Sequence, residues 1–182
     1  KFIKNKPNQT RYWIKKITEI SIKYLLEQIE AGADLIKVFD SWAGLLKEKE
    51  YEEYIIKPNK EIFEGIKKER KKTKIIFFPR QSKKFIDIFL REINCDVISI
   101  DQHLSRKNMD YCRKKEITIQ GNLSPELLFA GGKKMDEEVK KIMEKYKNNK
   151  HIFNLSHGVL PNTPLENVKQ VVKQVKNYEF TD

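Results

Sequence analysis

Short apolar runs in this chain end, one after another, in polar and ionisable residues. The ends read Phe39-Asp40-Ser41-Trp42, Pro79-Arg80-Gln81, Asp101-Gln102-His103, Gly121-Asn122-Leu123-Ser124 and Asn154-Leu155-Ser156-His157-Gly158. Hydroxyls, an imidazole, a guanidinium and turn N–H groups are all hydrogen-bond donors. Gathered on one rim, they suit a small ligand carrying several carboxylates. Metal chemistry is not expected, because His103, His151, His157, Cys95 and Cys112 show no close ligand spacing. His103 and His151 read as surface residues. Asp40 reads as a structural carboxylate, and Asp101 as a lesser candidate for function.

The rim needs parallel strands to build it, and the apolar pattern supplies them. Strand candidates are Leu35 to Phe39, Lys74 to Phe78, Asp96 to Ile100, Ile117 to Gln120 and His151 to Leu155. Each is followed by a stretch of helical periodicity. Before the first strand, Ile14, Ile17, Tyr24, Leu25 and Ile29 recur at helical spacing, with Thr10 as a cap and Gly32 as a stop. Pro58 suits a first helical turn, and Ser82 can cap the helix of Phe85, Ile86, Phe89 and Leu90. A short helix is expected from about Ser105 to Lys114, and another from Ser124-Pro125. Thr163-Pro164-Leu165-Glu166 reads as a capping box opening a helix striped with Val168, Val171, Val172 and Val175.

Strict alternation of strand and helix implies a parallel sheet with right-handed crossovers. Nearly continuous apolar strands imply burial on both faces. A doubly wound sheet and a (β/α)8 barrel both fit, and in both the ligand site forms at the carboxyl ends of the strands. Five units are too few to close an eight-stranded barrel, which takes about 250 residues.

Composition narrows the field. The 182 residues are expected to form one domain, and 39% hydrophobic and 10% aromatic residues are those of a folded chain. No apolar run approaches the roughly 18 residues of a membrane span, so no membrane association is expected. Two cysteines make neither a disulfide framework nor a zinc site; both read as packing residues, and this usage fits a cytoplasmic protein. The net charge of +11 comes from lysines scattered over helix faces, such as Lys67, Lys68, Lys71 and Lys72. They are not interleaved with aromatics in a patch, so solvated helix surface is preferred to nucleic-acid binding.

Three motifs on the strand ends resemble one family. Ala31-Gly32-Ala33 with Phe39-Asp40-Ser41-Trp42-Ala43-Gly44 is similar to the AGA…FDSWAG segment of uroporphyrinogen decarboxylases. Gln120-Gly121-Asn122-Leu123-Ser124-Pro125 resembles their QGNLDP turn, and Phe153-Asn154-Leu155-Ser156-His157-Gly158 their FNLGHG segment, with Pro161 and Thr163-Pro164 following. The resemblance runs from about residue 20 to the end. It implies a partial (β/α)8 barrel of about five parallel strands, each followed by a helix. It also implies removal of the four acetate carboxyls of uroporphyrinogen III to give coproporphyrinogen III, in haem biosynthesis, without cofactor or metal.

By the same resemblance, Ser41 is a substrate-binding hydroxyl, His157 a substrate-binding imidazole and Phe39 a pocket wall. The family's catalytic aspartate, its RQAGR-like arginines and its substrate-binding tyrosine lie in an N-terminal part with no counterpart here. No catalytic residue is therefore assigned. With Lys1 in place of Met, the chain reads as the C-terminal portion of such an enzyme, and the complete enzyme is expected to be a homodimer. The sequence departs from the family at Ser124, Ser156, Gln102 and Arg80. Two alternatives stand beside this reading: a truncated, non-catalytic remnant, and a related barrel that transfers methyl groups to a corrinoid or thiol. The second is disfavoured because no Cys pair follows His157.

Overall fold

The computed structural model describes residues 2–180, which divide into two compact units, one up to Asp96 and one from Val97. The first unit runs α1 (Phe2–Asn5), α2 (Pro7–Glu30), β1 (Leu35–Asp40), α3 (Glu48–Tyr51), α4 (Lys57–Glu69), β2 (Lys74–Pro79) and α5 (Ile86–Glu92). β1 and β2 are parallel, with Leu35 opposite Lys74 and Asp40 opposite Pro79. β2 is buried from Ile75 to Pro79, as its unbroken apolar run requires. On one face Phe77 meets Phe63 of α4 and Phe89 of α5, at ring separations of 6.5 and 6.0 Å.

Helix α2 packs along α4 closely enough that a Cβ on Gly65 would lie 3.0 Å from Ile22. Its boundaries and buried face differ from expectation. Pro7 opens the helix, and Thr10 lies within it, its hydroxyl donating to the Lys6 carbonyl at 3.0 Å. Proline needs no N–H at a first helical turn, which moves the start ahead of Thr10. Leu25 is buried, but Ile17 and Tyr24 are exposed together with Trp13 and Ile20. The helix therefore carries apolar residues on two faces, which periodicity alone could not separate.

Residues 48–69 are helical throughout, and a π-helical turn over Glu52–Ile56 precedes Pro58. Proline lacks the N–H that the helix would use, and a wider turn before it accommodates the loss. The Asn59 side chain donates to the Ile55 carbonyl at 2.8 Å inside this stretch. At the amino end of β2, Asp96 takes hydrogen bonds from Lys67 (2.7 Å), Lys74 (3.1 Å) and the Ile75 amide (3.1 Å).

The second unit runs β3 (Val97–Ser99), α6 (Arg106–Lys114), β4 (Thr118–Gln120), α7 (Pro125–Ala130), α8 (Gly132–Tyr146), β5 (His151–Ile152) and α9 (Leu165–Lys176). β3, β4 and β5 pair in parallel. Ser105 caps α6 by accepting from the Asn108 amide. Met135, Val139, Ile142 and Tyr146 form the buried stripe of α8. Asn167 of α9 donates to the Leu128 and Phe129 carbonyls, tying α9 to the end of α7. Both cysteines are buried, and burial pushes the Cys112 thiol up to about 12, so both serve as packing residues.

Three further expectations change. β5 stops at Ile152, and the chain beyond it keeps only a bridge between Leu123 and Leu155. Ser82 does not cap α5, which begins at Ile86; its buried hydroxyl accepts from Tyr51 at 3.0 Å. Packing against Tyr51 takes the hydroxyl that a cap would have used. The capping box at Thr163 does not form either: Pro164 is the N-cap, and the Thr163 hydroxyl donates to the Leu160 carbonyl at 2.8 Å. No described helix is long and apolar enough to cross a membrane.

Candidate functional site

In the first unit the polar strand ends follow β1 and β2. The Arg80 amide donates to the Asp40 carbonyl at 3.0 Å, continuing the ladder one residue past β2. The Gly44 amide then donates to the Arg80 carbonyl at 3.0 Å, so the Ser41-to-Gly44 loop is folded back onto the β2 end. Gly44 is required there by contact: a Cβ would lie 1.9 Å from the Gln81 carbonyl oxygen. Ala43 is fully buried beneath, while Trp42 stays 68% exposed. The loop thereby holds Ser41 half-buried beside Phe39, which is 65% exposed. Burial raises the Asp40 carboxyl above its ordinary value, against hydrogen bonds from the Trp42 amide and the Asn59 side chain. These contacts join Asp40 to its own loop and to α4.

In the second unit the β4 end is laced to the last residue of β5 and to the chain after it. Gly121 donates to Ile152 (3.0 Å), Leu123 to Asn154 (3.0 Å), and Ser156 to Leu123 (2.8 Å), all backbone to backbone. Gly121 has φ +134°, and a Cβ there would lie 2.6 Å from the Ile100 carbonyl oxygen, so glycine alone fits. The Gly121–Asn122 peptide is cis. Asn122 is buried, and its Oδ1 has no hydrogen-bond partner. This lacing fixes the segment that carries Ser156 and the exposed His157. Ser124 caps α7 by accepting from the Glu126 and Leu127 amides at 3.1 and 3.3 Å. Glu126 is held below its ordinary value by the Ser124 hydroxyl first, with a smaller contribution from nearby His157.

His151 departs from its surface reading. It is half-buried, and its Nε2–H donates to the Gly121 carbonyl at 2.6 Å, while its ring lies 4.8 Å from that of Tyr146. Burial lowers its pKa despite that bond. His151 thus supports the glycine turn from beneath. His103 is exposed as expected and lies 3.3 Å from Glu138. A second residue without a role in the sequence reading is Lys37, whose Nζ sits 4.8 Å from the centre of the Phe39 ring. A lysine at the same alternate position as Phe39, in an apolar strand, was the available signal. Among the described residues, no group of three or more His, Cys, Asp or Glu side chains is placed to hold a metal ion.

Parallel strands alternating with helices define part of a (β/α)8-type barrel. The sequence model of the family described as uroporphyrinogen decarboxylase (URO-D) matches residues 1–178, and the chain belongs to that family. A uroporphyrinogen decarboxylase of Rickettsia bellii is 39% identical over 180 residues, which cover 99% of this chain and 53% of the relative. One of Orientia tsutsugamushi (strain Boryong) is 42% identical over 167 residues, 91% of this chain and 48% of the relative. One of Rickettsia africae is 40% identical over 163 residues, 90% of this chain and 47% of the relative. The chain spans about half the length of the curated relatives it matches.

Proposed function

We propose that this chain forms the C-terminal half of a uroporphyrinogen decarboxylase and supplies part of its substrate rim. The observation that carries the reading is that the family motifs fall on carboxyl ends of parallel strands in both units. In this reading Phe39 is a wall against the substrate, Ser41 donates its hydroxyl to a substrate carboxylate, and His157 hydrogen-bonds another. Neither side chain takes part in bond breaking. Decarboxylation requires protonation of a pyrrole carbon, which makes the ring an electron sink. The bond between the acetate methylene and its carboxylate then breaks, carbon dioxide leaves, and the bonding pair enters the ring; the exocyclic methylene so formed takes a proton to become methyl, and the ring carbon gives up the proton it had gained. A fixed carboxylate stabilises the cation by preorganised electrostatics. That carboxylate is assigned to the half of the relatives' length that this chain does not span. The complete enzyme is taken to be a cytoplasmic homodimer that binds neither nucleic acid nor membrane.

The test assays the purified chain with uroporphyrinogen, alone and mixed with the N-terminal half of the Rickettsia bellii relative. No turnover alone and turnover on mixing is the expected outcome. In the mixed enzyme His157→Ala should lower turnover or binding roughly tenfold to a hundredfold, the worth of a hydrogen bond to a charged group of about 1.5–3 kcal/mol. Turnover by the chain alone refutes the assignment of the carboxylate, and unchanged kinetics in His157→Ala removes His157 from the site.

A further inference from the structure

β4 and β5 pair in parallel, with Ile119 opposite His151 and Gln120 opposite Ile152. The bridge of Leu123 with Leu155 keeps the same register further along. Between these two stretches the strand pairing is interrupted at Gly121 and Asn122. The register survives the interruption, so the two segments must be held together across it. Gly121 still donates its amide to the Ile152 carbonyl at 3.0 Å, as a parallel ladder requires. Its φ of +134° then takes the chain out of strand conformation. The Gly121 carbonyl accepts from the His151 ring, at 2.6 Å.

A carbonyl only accepts, so His151 Nε2 carries the proton and one tautomer is selected. The ring is placed by packing. Its centre lies 4.8 Å from that of Tyr146, whose buried hydroxyl accepts from the Leu104 amide at 3.3 Å. The interruption already contains one buried acceptor without a partner, Asn122 Oδ1. Gly121 is buried too, so loss of the His151 donor would leave a second acceptor unsatisfied, at its full desolvation cost. Beyond the interruption the ladder resumes, Leu123 donating to Asn154 and accepting from Ser156. His157 is the next residue. It is exposed, so no packing holds its ring, and its place is set by the backbone that carries it.

We propose that His151 is a positioning residue for His157: by holding the Gly121 carbonyl it sets the turn on which the Ser156 bond, and with it the His157 backbone, is placed. This rests on the reading of His157 as a substrate contact given above. His151 itself touches no reacting atom. What the role requires is an N–H at the Nε2 position. Phenylalanine and glutamine separate that donor from the ring. The first keeps the ring beside Tyr146 and loses the donor; the second loses the ring and keeps an N–H at about the reach of Nε2.

The experiment follows amide hydrogen exchange and imidazole carbon–hydrogen NMR signals of the full chain as wild type, His151→Phe and His151→Gln. The chain has three histidines, and the His157 signal is assigned by its loss in His157→Ala. The Met109 amide, bonded to the Ser105 carbonyl in the same unit, reports overall stability. His151→Phe should speed exchange of the Leu123 and Ser156 amides roughly tenfold relative to Met109, and shift or split the His157 signal. His151→Gln should keep both near wild type. Unchanged Ser156 exchange and an unchanged His157 signal in His151→Phe overturn the proposal. So does equal acceleration at Met109, which makes His151 a stabilising residue and nothing more. Where His151→Phe does not fold, His151→Gln decides: wild-type protection of Ser156 supports the role of the donor, and lost protection overturns it. Uroporphyrin, the oxidised octacarboxylate, added to the wild type tests the rim separately. A His157 signal that does not move with it refutes the substrate contact, and the positioning role with it, even where the exchange result holds.

Discussion

Replacing Gly44 by alanine tests how the Ser41 loop is held. The new Cβ would lie 1.9 Å from the Gln81 carbonyl oxygen, 2.3 Å from its carbonyl carbon and 2.7 Å from its Cβ. Unbonded carbon atoms rest at about 3.5–4.0 Å, so the two segments must part by more than about 1 Å. The obstacle is backbone, and no rotamer change relieves it. Parting the segments also strains the bond from the Gly44 amide to the Arg80 carbonyl, 3.0 Å in the native loop. Overpacking costs about 1–3 kcal/mol, and a backbone obstacle places this case near about 3. In a chain of this size each kcal/mol lowers the melting temperature by about 2–4 °C, so Gly44→Ala should melt roughly 6–12 °C below wild type. Gly158→Ala is the control: a Cβ there meets nothing within 4 Å, and the change should stay within about 0.5 kcal/mol. The assay is urea and thermal unfolding of both variants by circular dichroism. Equal melting of Gly44→Ala and Gly158→Ala would refute the steric argument.

Asp96 governs an acid limb of stability. Burial opposes its ionisation, but hydrogen bonds from Lys67, Lys74 and the Ile75 amide outweigh it and hold the carboxyl below 3.8. With the folded pKa depressed, its contribution is complete above the unfolded value and is lost as pH falls through the folded one. Asp96→Asn should therefore lose stability at pH 7 and show a shallower decline below about pH 4 in urea titrations. His151 acts in a different window: burial lowers its pKa from 6.5, so the unfolded chain takes up a proton first and stability falls as pH drops below that value. His151→Phe should abolish that part of the pH dependence and, by leaving the Gly121 carbonyl unpaired, cost about 1–3 kcal/mol at pH 8; a retained slope between pH 7 and 5 would assign it elsewhere. Ser124→Ala removes the acceptor for the Glu126 and Leu127 amides and should cost about 1 kcal/mol in urea unfolding, whereas Ser124→Asp should restore it.

The sequence by itself determined the element order, because alternating apolar runs and helical stripes need no tertiary information to be read. It located β1 and β2 to within a residue, the cap at Ser124, and the polar residues at the strand ends. The motifs around Ser41, Gly121 and His157 named the family before any coordinates did.

What the sequence left open depended on competition between partners. Ser82 and Thr163 have the residue types of helix caps, but a hydroxyl bonds whatever packing brings near, here Tyr51 and the Leu160 carbonyl. Ile17 and Tyr24 share a helical period with Leu25, and only the position of neighbouring elements decided which of them was buried. Gly44 and Gly121 are ordinary letters in a motif until Gln81 and Ile100 are seen against them. His151 and Lys37 show the same limit from the side of chemistry. A lone histidine or lysine is exposed by default, and these two differ because a carbonyl in one case and two aromatic rings in the other lie within reach of their charged or polar ends. Those groups come from residues up to 41 positions away in sequence, at distances that only the folded chain sets.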